Sequence, residues 1–184
     1  MIDIEDAPDF FDKAIELVIG TAMNKAALEA SLDGLGLIKT RVINKGEDHK
    51  GGKFKAYSDK PLPKFFFTGR SKPGSDVAER KIEKGKGFPA SYKDWREANN
   101  LQTKFKDFKF TGRMWTSIVP KVIRQEPTKT TVEINATSEE ERKKVQWMTE
   151  QQGNFLLPNP AELKEMGETY KDILVESLEG IFNS

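Results

Sequence analysis

The chain has 184 residues, of which 36% are hydrophobic and 32% are charged, and its formal net charge is +1 at pH 7. This length suits one domain with a buried core, and the composition is too apolar for a wholly disordered chain. The absence of cysteine excludes a disulfide framework and cysteine metal sites. No apolar run is long enough to cross a bilayer and the acidic start lacks signal-peptide features, so we expect a soluble protein with no membrane partner.

The charge is unevenly distributed along the chain. Residues 1–38 hold eight acidic and two basic side chains, a net charge of −6, and residues 125–184 hold twelve and six, again −6. Residues 39–124 hold 22 basic and nine acidic side chains, a net charge of +13. This order fits two hypotheses: the middle third contacts nucleic acid, or the basic middle of one copy attracts the acidic ends of another.

Residues 9–33 are predicted to form an amphipathic helix. Apolar residues recur at the helical period across this range, and Pro8 suits a first turn. Gly34 and Gly36 are expected to end the helix.

A β-hairpin is predicted over residues 37–58. LIKTRVIN (37–44) alternates apolar and polar side chains and is rich in β-branched residues, which is typical of a half-buried strand. FKAYS (54–58) is its expected partner across the glycine-rich turn at 45–53.

The next part of the chain has weaker signals. Residues 59–88 are expected to form a long loop excursion with a short helix at 76–84, and such excursions commonly carry function or partners. Short helices and strands are predicted over 91–137, including an antiparallel pair of strands at 118–125 and 129–137.

Two helices are predicted at the C-terminal end, over 138–152 and 160–182. Ser138 and Asn159 are the expected N-caps, and each is followed three residues later by the glutamate of a capping box. We therefore predict a single domain over residues 1–184. Its expected fold class is α+β, a small antiparallel sheet packed by N- and C-terminal helices, with long loop excursions.

The sequence offers little chemistry for catalysis. His49 is the only histidine and lies in a glycine-rich turn, where a rigid general-base pocket is rare. The acidic run SEEER (138–142) is explained by helix capping and the helix dipole. GRSKPGS (69–75) lacks the P-loop spacing, and Pro73 removes a phosphate-binding N–H. We therefore predict no enzyme activity, no catalytic residue, no cofactor and no metal.

Basic and aromatic residues alternate in the middle third, as in FKDFKF (105–110). Single-strand binding proteins use such residues for phosphate contacts and base stacking, so a single-stranded nucleic-acid-binding module over 39–124 is one hypothesis. Alternatively, aromatic residues on one face of a strand fill the core while lysines on the other are solvated. The second explanation needs no ligand, and we favour it.

Three motifs in this region share a resemblance. YKDWREANNLQT (92–103) and KDFKFTGRMW (106–115), with GGKFKAYS (51–58) upstream, resemble the tail-completion and head–tail joining proteins of long-tailed bacteriophages, a family of virion morphogenesis proteins. The strand and helices that follow are similar as well, so the resemblance covers nearly the whole chain after the first helix. Two residues depart from the pattern. Asn100 replaces the usual glycine, which predicts strain in a turn, and Gln152 replaces a common basic residue.

The resemblance implies a structural role without catalysis. Members act as rings that close the end of the tail tube or join it to the head connector. It therefore implies a homo-oligomeric ring of six subunits by analogy, located in the neck or tail of the virion after assembly in the host cytoplasm. The implied partners are the chain itself, connector or neck proteins and the tail tube protein, with passive contact with genomic DNA.

Candidate anchor and interaction residues lie in the two later motifs. They are Trp95, Arg96, Gly112, Arg113, Met114 and Trp115. The two tryptophans are expected on two short helices that pack over the end of the sheet, with Gly112 in a conformation that other residues resist and Thr111 as a helix cap. Trp115 is expected to be buried, whereas Trp147 is expected on a solvated, partner-facing surface.

Overall fold

The computed structural model describes residues 7–63, 91–108, 112–126 and 128–183, with backbone alone for 7–13 and 182. Five α-helices and two strands lie in these ranges: α1 (Ala7–Thr40), α2 (Tyr92–Ala98), α3 (Arg113–Ser117), β1 (Ile118–Glu126), β2 (Lys129–Ala136), α4 (Glu139–Gln152) and α5 (Pro160–Phe182). The strands form an antiparallel sheet flanked by the N- and C-terminal helices, so the predicted α+β class is confirmed. Most of the predicted excursion at 59–88, with its helix at 76–84, lies outside the described residues, as does Thr111.

Helix α1 packs against the last helix and the two strands. It contacts α5 on one side and both strands on another. Ala22, Ala26 and Ala30 recur every four residues and are buried. Because their side chains are small, the neighbouring elements can approach the helix closely.

Helices α1 and α5 run antiparallel. Gly34 of α1 lies against Met166, and Arg41, just after α1, pairs with Glu162 in the first turn of α5. A Cβ at Gly34 would overlap the Met166 side chain, so this glycine permits the close contact between the two helices.

The predicted end of the first helix and the predicted strand at 37–44 are both wrong. α1 continues through Gly34 and Gly36, and a π-helical turn over Arg41–Lys45 follows it. Leu35, Ile38 and Val42 are spaced by three and four residues and are all buried. The sequence of residues 37–44 therefore fits a helical pattern as well as the alternating pattern that suggested a strand.

Gly46 ends the helical segment instead. Its N–H donates to the Arg41 carbonyl, and its φ of 66° is in the left-handed region. A Cβ there would also overlap the Phe105 ring. Only glycine meets both demands.

The predicted return strand at 54–58 is also absent. Glu47 and Lys53 form one isolated bridge, and the Asp48 carboxylate accepts two backbone N–H groups of the turn at 2.8 Å each. The following segment runs beside a second irregular one, where the Lys106 N–H donates to the Lys55 carbonyl at 3.0 Å. The turn at 46–53 is therefore held by contacts within the chain.

Strands β1 and β2 agree closely with the predicted pair. Ile118 lies opposite Ala136 and Val122 lies opposite Val132, with a register shift between Val122 and Arg124. The last two helices also begin where they were predicted. The Ser138 side chain accepts the Glu141 N–H at 3.3 Å, and Asn159 and Glu162 form a complete capping box with both bonds at 2.8 Å.

The described part of FKDFKF, residues 105–108, does not form the predicted alternating strand. Asp107 is buried, whereas Phe105 and Phe108 are half-buried, and Phe108 has a φ of 54°. The charged Asp107 is thus more deeply buried than the phenylalanines on either side, because it has the buried partners described below.

Two glycine substitutions test the continuous helix. Gly36→Ala is expected to raise the free energy of unfolding by about 1 kcal/mol, because alanine is the better helix former, and no heavy atom lies within 4 Å of the added Cβ. Gly34→Ala is expected to lower it, because the Met166 side chain must move. Urea unfolding followed by circular dichroism measures both. The absence of a gain at Gly36 would contradict the helix.

Candidate functional site

Arg96 and Asp107 form a buried ion pair at the centre of the motif region. The Arg96 Nη2 group lies 3.0 and 3.2 Å from the two Asp107 carboxylate oxygens, and its Nε donates to the Gln102 carbonyl at 3.0 Å. Arg96 is 1% exposed and Asp107 is 4% exposed. A buried charge is costly unless it is paired and hydrogen-bonded, so these contacts together offset the cost of burying Arg96 and Asp107.

Tyr57 completes the cluster from a distant part of the chain. Its hydroxyl donates to Asp107 Oδ1 at 2.8 Å, and the Arg96 guanidinium carbon lies 4.0 Å from the centroid of its ring. Burial, and then the negative charge of Asp107, raise the pKa of Tyr57 well above its ordinary value. The hydroxyl therefore remains protonated and continues to donate its hydrogen bond.

Helix α2 positions Arg96. Ser91 and Asp94 form a capping box at its start, in which the Asp94 carboxylate accepts the Ser91 N–H at 2.9 Å. Trp95 is buried and stacks on Tyr92, with 5.3 Å between the ring centroids. A helix of seven residues cannot be stable alone, so the cap and these tertiary contacts hold it.

Two turns beside the short helices have left-handed backbone. Asn100, just after α2, has a φ of 56°, and Gly112, at the start of α3, has a φ of 80°. Asparagine tolerates this region better than most residues, although glycine has no steric cost there. Asn100 therefore has the left-handed backbone that a glycine would adopt without cost, and Gly112 has the expected conformation.

Helix α3 carries the other motif residues. Met114 and Trp115 are buried, and Arg113 is exposed. The Trp115 indole N–H donates to the Asp107 backbone carbonyl at 3.3 Å, and its ring meets the edge of Phe155 at 5.8 Å between centroids. The predicted burial of Trp115 is confirmed, and Trp95 and Trp115 both belong to the core.

A cleft of about 500 Å³ opens beside the ion pair. Its lining combines aromatic and apolar side chains with several polar ones. The lining residues are Tyr57, Ser58, Tyr92, Arg96, Lys106, Phe108, Trp147, Met148, Gln151 and Gln152. Trp147, on α4, is 60% exposed, so its expected position on a solvated surface is confirmed. Gln152 is also part of the lining.

A second buried ion pair joins the two longest helices. Arg41 Nε lies 2.7 Å from Glu162 Oε1. The remaining Arg41 N–H groups donate to the carbonyls of Glu47, Phe155 and Leu157 at 2.9, 3.3 and 2.8 Å. This arginine thereby connects the end of α1, the turn at 46–53 and the start of α5.

Several of these residues were not identified from the sequence. Asp107 had the signal of an outward strand residue and Arg41 that of a strand residue, while Glu162 was identified only as a capping residue. Tyr57 appeared in a motif without an assigned role. The residues next to them in the sequence give no common signal, and the role of each is evident only when its partner elsewhere in the chain is known.

The described ranges contain no cluster of three or more histidine, aspartate or glutamate side chains arranged to hold a metal ion. Nor does any described helix have the length and apolarity to span a membrane. His49 is half-buried in the turn at 46–53, away from the residues that line the cleft. The recognisable features of the site are therefore an ion-pair cluster and an aromatic cleft.

Comparisons of this chain with protein-family models, with curated proteins and with solved structures find no match.

Loss of the buried guanidinium should be severely destabilising. Arg96→Ala is expected to lower the free energy of unfolding by about 3–5 kcal/mol, because the Asp107 charge then stays buried without its partner. Lys104→Ala, at an exposed position between the same two residues, is expected to change it by less than about 0.5 kcal/mol. Chemical denaturation followed by tryptophan fluorescence compares the two. Equal effects would contradict the structural role of Arg96.

The tryptophans provide a second pair of variants. Trp115→Ala is expected to lower the free energy of unfolding by about 3–5 kcal/mol, because it leaves a large cavity against Phe155. Trp147→Ala removes a mostly exposed ring and is expected to leave stability nearly unchanged. Thermal melts and urea titrations check both changes, and a stable Trp115 variant would show that the ring is not part of the core.

Proposed function

We propose that this protein is a structural subunit of a phage neck or tail, which completes the tail end or joins the tail to the head as part of a homo-oligomeric ring. The observation that supports this most strongly is the convergence of the three motifs. Tyr57 from the first, Arg96 from the second, and Asp107 and Trp115 from the third meet at one buried ion pair. Because these polar groups satisfy one another, the unit fits a scaffold better than a reacting centre.

The backbone supports the same proposal. Asn100, where the resembling family usually has glycine, is left-handed, and Gly112 in the third motif is left-handed as well. Both positions therefore have the left-handed backbone that glycine adopts most easily, which agrees with a glycine in the family pattern.

Exposed apolar side chains support self-association. Leu163, Val175 and Ile181 on α5 and Trp147 on α4 are large and exposed. Single exposed apolar residues are ordinary, but each of these side chains offers apolar area that a partner can cover. The proposed partners are further copies of the chain, the connector or neck proteins and the tail tube protein, with six copies in the ring and passive contact with genomic DNA in its lumen.

The mass of the purified protein tests the ring. Native mass spectrometry and sedimentation at micromolar concentrations are expected to give one closed species at six times the 20.8 kDa of the chain, visible as rings by electron microscopy. Antibody labelling of particles is expected to mark the head–tail junction or the tail end. A protein that stays monomeric at every concentration would contradict the ring.

The cleft keeps a second function open, a single-stranded nucleic-acid-binding module. Tyr57, Tyr92 and Trp147 are rings of the kind on which bases stack, and Lys106 is placed to contact a phosphate. Our expectation is that the protein shows no strong affinity for a single-stranded oligonucleotide in anisotropy titrations at physiological salt. Sub-micromolar binding that weakens steeply with salt and is lost in Trp147→Ala would favour the nucleic-acid module instead.

A further inference from the structure

The outer face of α5 combines an apolar residue with a set of carboxylates. Val175 is 46% exposed. Glu168, Asp172 and Glu179 are exposed and lie seven and three residues before it and four after it, so they share its side of the helix with one exposed base, Lys171. α5 as a whole holds six acidic and two basic side chains, a net charge of −4. Another side of the helix packs on α1, so this face is a separate surface.

The aromatic cleft has complementary properties. Its walls include Tyr57, Tyr92, Trp147 and Met148, the residue types enriched at the centres of protein interfaces. The elements that border it are segments 53–60 and 91–108, with seven basic and four acidic side chains, and α4, with three basic and four acidic, a combined net charge of +2. An aromatic centre with Lys106 in its lining and a net positive surrounding is suited to a partner with an apolar residue among carboxylates.

We propose that the outer face of α5 of one copy docks into the aromatic cleft of the next copy, with Val175 at the centre and its neighbouring carboxylates against Lys106 and the other lysines of segments 53–60 and 91–108. Two α5 faces docked on each other would bring like charges together, which charge complementarity disfavours. The proposed contact joins two different surfaces. Such heterologous contacts repeat from copy to copy and form a ring when the rotation closes. The inference rests on the self-assembly in the proposed function and specifies the surfaces that would produce it.

Two variants separate the two halves of this contact. The cleft variant, Trp147→Ala/Lys106→Glu, removes the exposed ring and reverses a charge in the lining. The helix variant, Asp172→Lys/Glu179→Lys, reverses two exposed charges on α5 and retains good helix formers. Each variant alone is expected to self-associate at least about tenfold more weakly than the wild type, as the loss of charge complementarity predicts.

The decisive measurement is the mass of the mixture. The cleft variant keeps a functional α5 and the helix variant keeps a functional cleft, so one copy of each can make a single contact. An equimolar mixture is expected to give a one-to-one heterodimer and no larger species by native mass spectrometry, whereas the wild type continues to a ring. An isologous contact would not show this complementation, because every copy would carry a defect on the one shared surface.

Matched controls lie on α1, which does not line the cleft. Lys25→Glu and Glu29→Lys reverse exposed charges of the same two types and are expected to assemble like the wild type. Circular dichroism and thermal melts confirm that all variants are folded. If the wild type forms a ring and both docking variants do too, or if the folded pair gives no heterodimer, the proposed docking is wrong while the ring remains. A monomeric wild type would overturn both.

Discussion

The architecture of the middle of the chain depends on the buried pair between Arg96 and Asp107. Neither of the segments at 54–58 and 103–108 forms a regular strand, and α2 and α3 are too short to be stable alone. Several of their aromatic side chains pack in the hydrophobic core, and their relative positions are set by the need to pair two desolvated charges fully. Tyr57 and Trp115 contact the same residue: the Tyr57 hydroxyl donates to the Asp107 carboxylate, and the Trp115 indole N–H donates to the Asp107 backbone carbonyl.

Capping residues and β-propensity, which act within a few residues, correctly predicted the last two helices and the two strands. The caps at Ser138 and Asn159 fixed the starts of α4 and α5, and β-branched residues around a turn indicated the two strands. The end of α1 could not be predicted in this way. Residues 35–43 are compatible with both a helix and a strand, and the choice is made by tertiary packing on Val42 and by the Phe105 ring over Gly46.

The candidate site was predicted in part for the same reason. Gly112 and Trp115 have positions that their residue types favour, so their conformation and burial could be expected. Arg96 was predicted to be an anchor or interaction residue, but its burial is explained only by its pairing with the buried Asp107. Alternation in FKDFKF suggested the opposite orientation, because periodicity counts polar residues as exposed and cannot register a charge whose partner lies eleven positions away.

The pair between Arg41 and Glu162 has a consequence for the order of synthesis. Its two members are separated by 121 residues, so the end of the first helix cannot acquire this partner until the last helix has begun to emerge from the ribosome. During that interval the side of α1 that receives α5 stays uncovered, and intermediates with exposed apolar surface are prone to association. Helix α1 is thus made well before its packing is completed, and a chain cut short before α5 would lose the packing of α1 as well as α5 itself.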